Sequence, residues 1–262
     1  MEVISSYKNT KVKRLRKLYK SKWRRRWNCF VLEGSRLIDA ALKAGAEFER
    51  NFVTPDFAKK EEQFVQRLES RSEVEYLESS LLKKIADTVT PQGIISVVKK
   101  ENFSESEIFS EERPVLVLDR LRDPGNMGTI IRTAAAAGMG GVICLKGCVD
   151  IYNLKVLRAT MGTIFQIPLI TGKDVKDFIK QTAENTYKLI ACDISGKKYH
   201  HQLQYDFPHM IIIGNEAHGI RTSLLDAVDY IVKIPLYGEV ESLNASVAGG
   251  IIIYESAVKN NI

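Results

Sequence analysis

The chain has 262 residues, 45% of them hydrophobic and 27% charged, with a net charge of +6. That length suits two modest domains or one large one, and the composition is that of a globular protein rather than a disordered or fibrous chain. No apolar run approaches the roughly 20 residues of a membrane span, the N-terminus has no signal-peptide core, and Cys29, Cys144, Cys148 and Cys192 form no CxxC pair, so a reduced, cytoplasmic setting is expected and a membrane partner is not.

The positive charge is unevenly placed. Residues 3–32 carry eleven Lys or Arg and no acid, while the remainder has 27 basic against 32 acidic residues, a net of −5. The block falls in a predicted helix, about 8–22, where Leu15, Leu18 and Tyr19 mark an apolar stripe. A solvated helix face or an Arg-rich transit segment would also carry such charge, but the block runs straight into a patterned strand. A polyanion-binding surface, most simply for nucleic acid, is the better reading. Lys11, Lys13, Arg14, Arg24, Arg25 and Arg26, with Arg36 beyond them, are its candidate phosphate contacts, and Trp23 and Trp27 its candidate stacking groups. A strand at 30–33, a helix at 34–45, a strand near 50–54, a helix near 57–70, a strand near 74–76 and a strand at 93–99 complete an α/β region over residues 1–100. Residues 101–113, with five glutamates and three serines, read as an exposed linker.

Residues 114–262 differ in texture. Near-continuous apolar strands at 115–118, 141–145, 165–170, 187–192, 209–213 and 229–234 alternate with helices at 129–137, 153–161, 175–182 and 224–228, which predicts a parallel sheet covered on both faces. Ligands of such sheets bind beyond the carboxyl ends of the strands, and three exits are loaded with glycine and polar residues. The first holds Asn126, Gly128 and Arg132. The second is Gly214-Asn215-Glu216, followed by His218 and Gly219. The third leaves a strand at Ile234, Pro235 and Leu236, crosses a polar loop, and opens a small-residue helix behind Ser242, Leu243 and Asn244, with Ala248 in its first turns. Taken singly, each reads as ordinary helix capping or a tight turn. The glycines at 138, 140 and 141 lack dinucleotide-binding spacing, and no phosphate-loop motif exists.

Taken together and in this order, N-x-G-x-x-x-R, I-I-G-N-E-x-x-G and I-P-x-x-G-x-x-x-S-L-N-A-S-x-A resemble the three motifs of the SpoU/TrmH family of RNA ribose 2′-O-methyltransferases, of the knotted SPOUT class. Arg158-Ala-Thr-Met-Gly-Thr is similar to a further family element, and the resemblance covers about residues 113–258. The segments from Phe30 to Leu37 and from Thr90 to Ile94 look like the L30e-like substrate-binding domain of the ribosomal-RNA members. One departure is Asn215, where many relatives have Ser or Ala.

The resemblance implies an L30e-like domain (1–100), a linker (101–113) and a SPOUT domain (114–262) with a deep C-terminal trefoil knot. It implies S-adenosylmethionine bound at Gly214, Asn215, Gly219, Ile234, Pro235, Leu236, Ser242, Leu243 and Ala248, and Arg132 at the reacting hydroxyl with Asn126, Glu216, Ser242 and Asn244 around it. It also implies a homodimer, ribosomal RNA as partner and no metal. A transfer-RNA methyltransferase and a non-catalytic RNA-binding protein of the same fold are the alternatives.

Overall fold

The computed structural model describes residues 2–109 and 112–260, and the chain divides into two compact units. The first begins with β1 (Val3–Ile4), α1 (Thr10–Leu18), α2 (Ser21–Trp27), β2 (Cys29–Glu33), α3 (Ser35–Lys43), β3 (Phe48–Val53), α4 (Pro55–Lys60), α5 (Glu62–Glu69), β4 (Val74–Leu77), α6 (Ser79–Ile85) and β5 (Ile94–Lys99). Its sheet has the order β1-β4-β3-β5-β2. Because β5 runs antiparallel to both β2 and β3 while β3 and β4 are parallel, β2, β3 and β4 all end on the edge where β5 begins.

The single basic helix expected at 8–22 is two. Asn9 caps α1 by accepting from the Lys11 and Val12 N–H groups, and Val12, Leu15 and Leu18 are buried beneath it, each stabilising by roughly 1.5–3 kcal/mol. Arg24 ends it. Its guanidinium is buried and donates to the Leu18 and Tyr19 carbonyls at 3.0 and 2.9 Å, satisfying acceptors that a helix C-terminus leaves open. Asn28 then turns the chain in the left-handed region, φ 52°, which Asn tolerates.

The second unit continues with α7 (Glu105–Phe109), β6 (Val115–Leu118), α8 (Pro124–Ala136) and β7 (Gly141–Leu145). After α9 (Leu154–Thr160) come β8 (Leu169–Lys173), α10 (Val175–Thr182), β9 (Lys188–Cys192), β10 (Lys198–Tyr199), β11 (His209–Ile213), α11 (Thr222–Leu225), β12 (Tyr230–Lys233) and α12 (Ala245–Lys259). Every pairing in the sheet β10-β12-β9-β11-β6-β7-β8 is parallel, so all its carboxyl ends share one edge. β6, β7 and β11 are wholly buried.

Three expectations are corrected. Residues 101–113 are not all linker: α7 forms there and buries Ile108 against β6 and β7 residues, while Ser110 and Glu111 lie outside the described residues. The strand expected at 165–170 starts at Leu169, because residues 163–165 form a 3₁₀ turn and Pro168, which has no N–H, marks the strand entrance. Residues 152–165, placed with the second domain by sequence, belong to the first unit. There Tyr152 and Phe165 pack on the Phe30 ring at 4.6 and 6.2 Å, and Arg158 pairs with Asp87 at 2.9 Å.

One buried pair fastens the last helix. His209, at the start of β11, has Nδ1 2.7 Å from the Phe207 carbonyl and Nε2 2.7 Å from the Ser256 hydroxyl of α12. This fits an Nδ1–H that donates to the carbonyl and an Nε2 that accepts from Ser256. Desolvation holds the imidazole below its ordinary pKa, and the Phe207 bond opposes this only in part; the Tyr205 and Phe207 rings face it. A depressed pKa gives stability that is full above the unfolded value of about 6.5 and is lost as the pH falls toward the folded one. The urea midpoint of the protein is therefore expected to fall between about pH 7 and pH 5, and that of His209→Gln to fall less over the same interval.

Candidate active site

At the shared carboxyl edge, the three loaded exits of the sequence meet. The Asn126 carboxamide, 8% exposed in the first turn of α8, is held from both sides. Its Nδ2 donates to Glu216 Oε1 at 3.2 Å, and its Oδ1 accepts from Asn244 Nδ2 at 3.0 Å. Asn244 is also the cap of α12, its Oδ1 accepting from the Ser246 and Val247 N–H groups, so capping and bridging use different atoms of one side chain. Asp123 caps α8, accepting the Asn126 N–H at 2.8 Å.

Glu216 is the acceptor on which the first two exits converge. Besides Asn126, it takes the backbone N–H groups of Asp123 and Arg122 and the Asn215 carboxamide, at 3.1, 3.4 and 3.2 Å. Partial burial pushes its pKa up, but hydrogen bonds from its own N–H, Asn126, Asp123 and Arg122 outweigh this and leave it below the ordinary glutamate value. Asn215 also donates to the Arg120 carbonyl at 2.8 Å and accepts from the Ala217 and His218 N–H groups. A Ser or Ala at 215 has no carboxamide to make these bonds. The turn closes in a bridge between Asn215 and Gly219, and a Cβ on Gly214 would stand 2.4 Å from the Gly219 carbonyl carbon, so position 214 admits only glycine without backbone movement.

Charge beneath this edge was not foreseen. Asp119, the residue after β6, is completely buried. Its carboxylate meets Arg221 Nη2 at 2.6 Å and accepts the Arg221 N–H at 3.0 Å, and Arg120 Nε lies 3.4 Å away. Arg120 adopts φ 56°. An acid at the end of an otherwise apolar strand was the available signal, since a buried carboxylate requires partners.

The remaining candidates are less tightly held. Ile234, Pro235, Leu236, Leu243 and Ala248 are half-buried and Ser242 is exposed. Residues 235–243 make no backbone hydrogen bond with another described residue, an unusual run of unclaimed N–H and C=O groups. Arg132 is exposed on α8 and is not bonded to the Asn126, Glu216 and Asn244 cluster. Among the described residues, no three His, Cys, Asp or Glu side chains gather to hold a metal.

The basic block is partly consumed by the fold. Arg24 is the buried cap described above, Lys11 pairs with Glu75, and Arg14 grips Glu49 with two bonds of 2.7 and 2.8 Å. Trp23 and Trp27 pack against each other at 4.7 Å with their planes tilted by 35°, with Lys17 over the first and Arg14 over the second, so they are not open platforms. Lys13, Arg25, Arg26 and Arg36 are exposed.

Comparison with known proteins agrees with this geometry. The profile of the SpoU rRNA Methylase family matches residues 113–254, and that of the MRM3-like substrate binding domain matches residues 9–96. The Bacillus subtilis protein named 23S rRNA (guanosine(2553)-2′-O)-methyltransferase RlmP is 32% identical over 254 residues, covering 97% of this chain and 98% of its own. The AdoMet-bound crystal structure of an rRNA methyltransferase from Sinorhizobium meliloti has a TM-score of 0.88 and 29% identity, covering 97% of each chain. That of the SpoU methyltransferase AviRb from Streptomyces viridochromogenes, in complex with AdoMet, has a TM-score of 0.86 and 26% identity, covering 96% of this chain and 98% of that one. Its three strand exits, its parallel sheet and a family profile spanning more than half its length place the chain in the SpoU rRNA methylase family.

Proposed function

We propose that the protein transfers a methyl group from S-adenosylmethionine to a ribose 2′-hydroxyl of ribosomal RNA. The observation that carries this reading is the hydrogen-bonded run from Asn244 through Asn126 to Glu216, which joins the three family motifs at one edge of the sheet. The acceptor class agrees with the chemistry, because only RNA has a 2′-hydroxyl.

The residues present fit the cofactor. Gly214 admits the close return of the Gly219–Ile220 backbone that shapes the second exit, and the unclaimed amides and carbonyls of residues 235–243 suit recognition by main chain. Gly214, Asn215, Gly219, Ile234, Pro235, Leu236, Ser242, Leu243 and Ala248 would hold it. When bound, S-adenosylmethionine supplies an electrophilic methyl group on a sulfonium. Asn126, fixed by Glu216 and Asn244, and Ser242 orient the ribose, so that the oxygen is presented in line. A guanidinium stays protonated and is a poor base, so we assign Arg132 to the charge that develops on the oxygen and to the adjacent phosphate. Residues 234–243 return from β12 past the exits of β9 and β11 to Asn126, and we read this return as the threaded limb of a trefoil knot, a rare exception to unthreaded topology.

A homodimer is part of the proposal. Val247, Ile251, Tyr254 and Val258 form an exposed apolar stripe along α12, at spacings that share one helix face. The stripe lies beside α8, where Thr133, next to Arg132, is 3.9 Å from the Cβ position of Gly250. A second copy covering it would enclose the exposed Arg132.

Arg132→Ala is expected to slow single-turnover methylation of ribosomal RNA at least about 10²-fold while S-adenosylmethionine affinity by calorimetry stays unchanged; near-wild-type transfer would remove Arg132 from the mechanism. Gly214→Ala should do the reverse, weakening cofactor binding first. Light scattering is expected to give twice the chain mass for the wild type and one chain mass for Ile251→Asp, with methylation lost alongside.

A further inference from the structure

The first unit contains a cleft that the methyl-transfer chemistry leaves unused. It encloses about 560 Å³ at the edge where β2, β3 and β4 end and β5 begins, and its lining includes Ser35, Thr54, Phe57, Lys60, Lys83 and the loop from Val89 to Gly93. It lies at the end of the sheet where α/β folds receive ligands.

The loop on its rim is built rather than slack. Buried Glu33 accepts the Asp87 and Thr88 N–H groups at 2.8 and 3.1 Å and the Thr88 hydroxyl at 3.0 Å. At the other end Thr54 N–H donates to the Gly93 carbonyl at 2.8 Å. Gly93, at φ +90°, sits where a Cβ would meet Thr54 Oγ1 at 2.6 Å. Gln92 is aligned by its Oε1, which accepts the Ser35 N–H at 2.8 Å and the Ser35 hydroxyl at 3.2 Å, and among the described residues nothing accepts from its two Nε2 donors. Between these anchored ends Val89 stands 87% exposed. Order of that kind around an uncovered apolar side chain is preorganisation for something that arrives.

The lining chemistry selects the visitor. An apolar wall of Phe57 and Leu82, with Val89 at the mouth, suits the face of a base. Gln92 offers paired amide donors to a base edge. Lys60 and Lys83 are exposed and enter no ion pair among the described residues, so their charge can meet phosphate, whereas Lys11 and Arg14 are paired within the fold. Asp56 and Glu61 also line the cleft and make it neutral overall, which disfavours a bare polyanion and favours a ligand with base donors as well as a phosphate. A base inside a duplex cannot enter; one splayed from a loop or bulge can.

We infer that this cleft receives one unpaired nucleotide of the RNA, with its base between Val89 and Phe57, its edge at Gln92 and its phosphate at Lys60 and Lys83. The inference rests on the ribosomal-RNA reading above and adds where and in what form the first unit holds that substrate.

The test uses the full chain, an in vitro large-subunit RNA transcript and radiolabelled S-adenosylmethionine, with the variants Lys60→Ala/Lys83→Ala and Val89→Glu, and Lys180→Ala, exposed on α10, as a surface control. KM for RNA should rise about tenfold in both test variants, in the range of a lost base or phosphate contact, with kcat, cofactor affinity and the control unchanged. A KM within about twofold of wild type in both would overturn it. Loss confined to assembled subunits, with naked RNA unaffected, would also overturn it by assigning the cleft to a ribosomal protein. If the wild type methylates no RNA, the enzymatic reading fails instead, and anisotropy with a fluorescein-labelled single-stranded oligouridylate of about ten nucleotides still decides the cleft. Binding weakened about tenfold by Lys60→Ala/Lys83→Ala supports it, and equal binding sinks it.

Discussion

A carboxamide is the side chain that can donate and accept at once from fixed, separate atoms, and the carboxyl edge of the second unit's sheet depends on one such group. Asn126 faces a carboxylate that can only accept, which compels its Nδ2 toward Glu216 and turns its Oδ1 toward Asn244. Replacing it by aspartate would set two carboxylates against each other, and by leucine would leave Glu216 and Asn244 each lacking a partner. Through this one side chain the exits of β6 and β11 and the start of α12 acquire a common register. The depressed pKa of Glu216 has the same origin, since donors from two loops converge on its oxygens.

Beneath that bridge lies a second, ionic one. Asp119 is buried against Arg221, which supplies both a guanidinium and a backbone N–H to it, and Arg120 returns a bond to the Gly219 carbonyl at 3.4 Å. Removing either partner from a buried pair is costly, because it strands the other's charge. The loop that carries Glu216 is thus held at both its ends, by Asn215 on the Arg120 carbonyl and by Arg221 on Asp119. Side chains fix this loop so that, on our reading, its backbone and that of residues 235–243 remain available for a cofactor.

The sheet of the second unit was legible because strands buried on both faces write themselves as unbroken apolar runs, and Asn126, Glu216 and Asn244 were legible because motif spacing survives as spacing. What escaped reading was decided by tertiary choice. Nothing in the periodicity of residues 8–27 says that Arg24 will fold back on Leu18 and Tyr19 instead of reaching outward. Nothing in Asp119 names Arg221, which is 102 positions away. The apolar face of α9 announces that it will be buried, with Val156 and Leu157 fully covered, but a helical period does not say against which sheet. The segments lost to sequence reasoning are those whose partners are distant in the chain.

That last case has a consequence for how the molecule is made. Since residues 152–165 belong with β2 and α3, the first unit is not a contiguous N-terminal domain, and its last piece is synthesised after β6, α8 and β7. The Phe30 ring is therefore covered by Tyr152 and Phe165 only once residues far along the chain are made. Bringing Tyr152 and Phe165 onto Phe30 joins residues more than a hundred positions apart, so this contact carries the loop-closure entropy of a long segment.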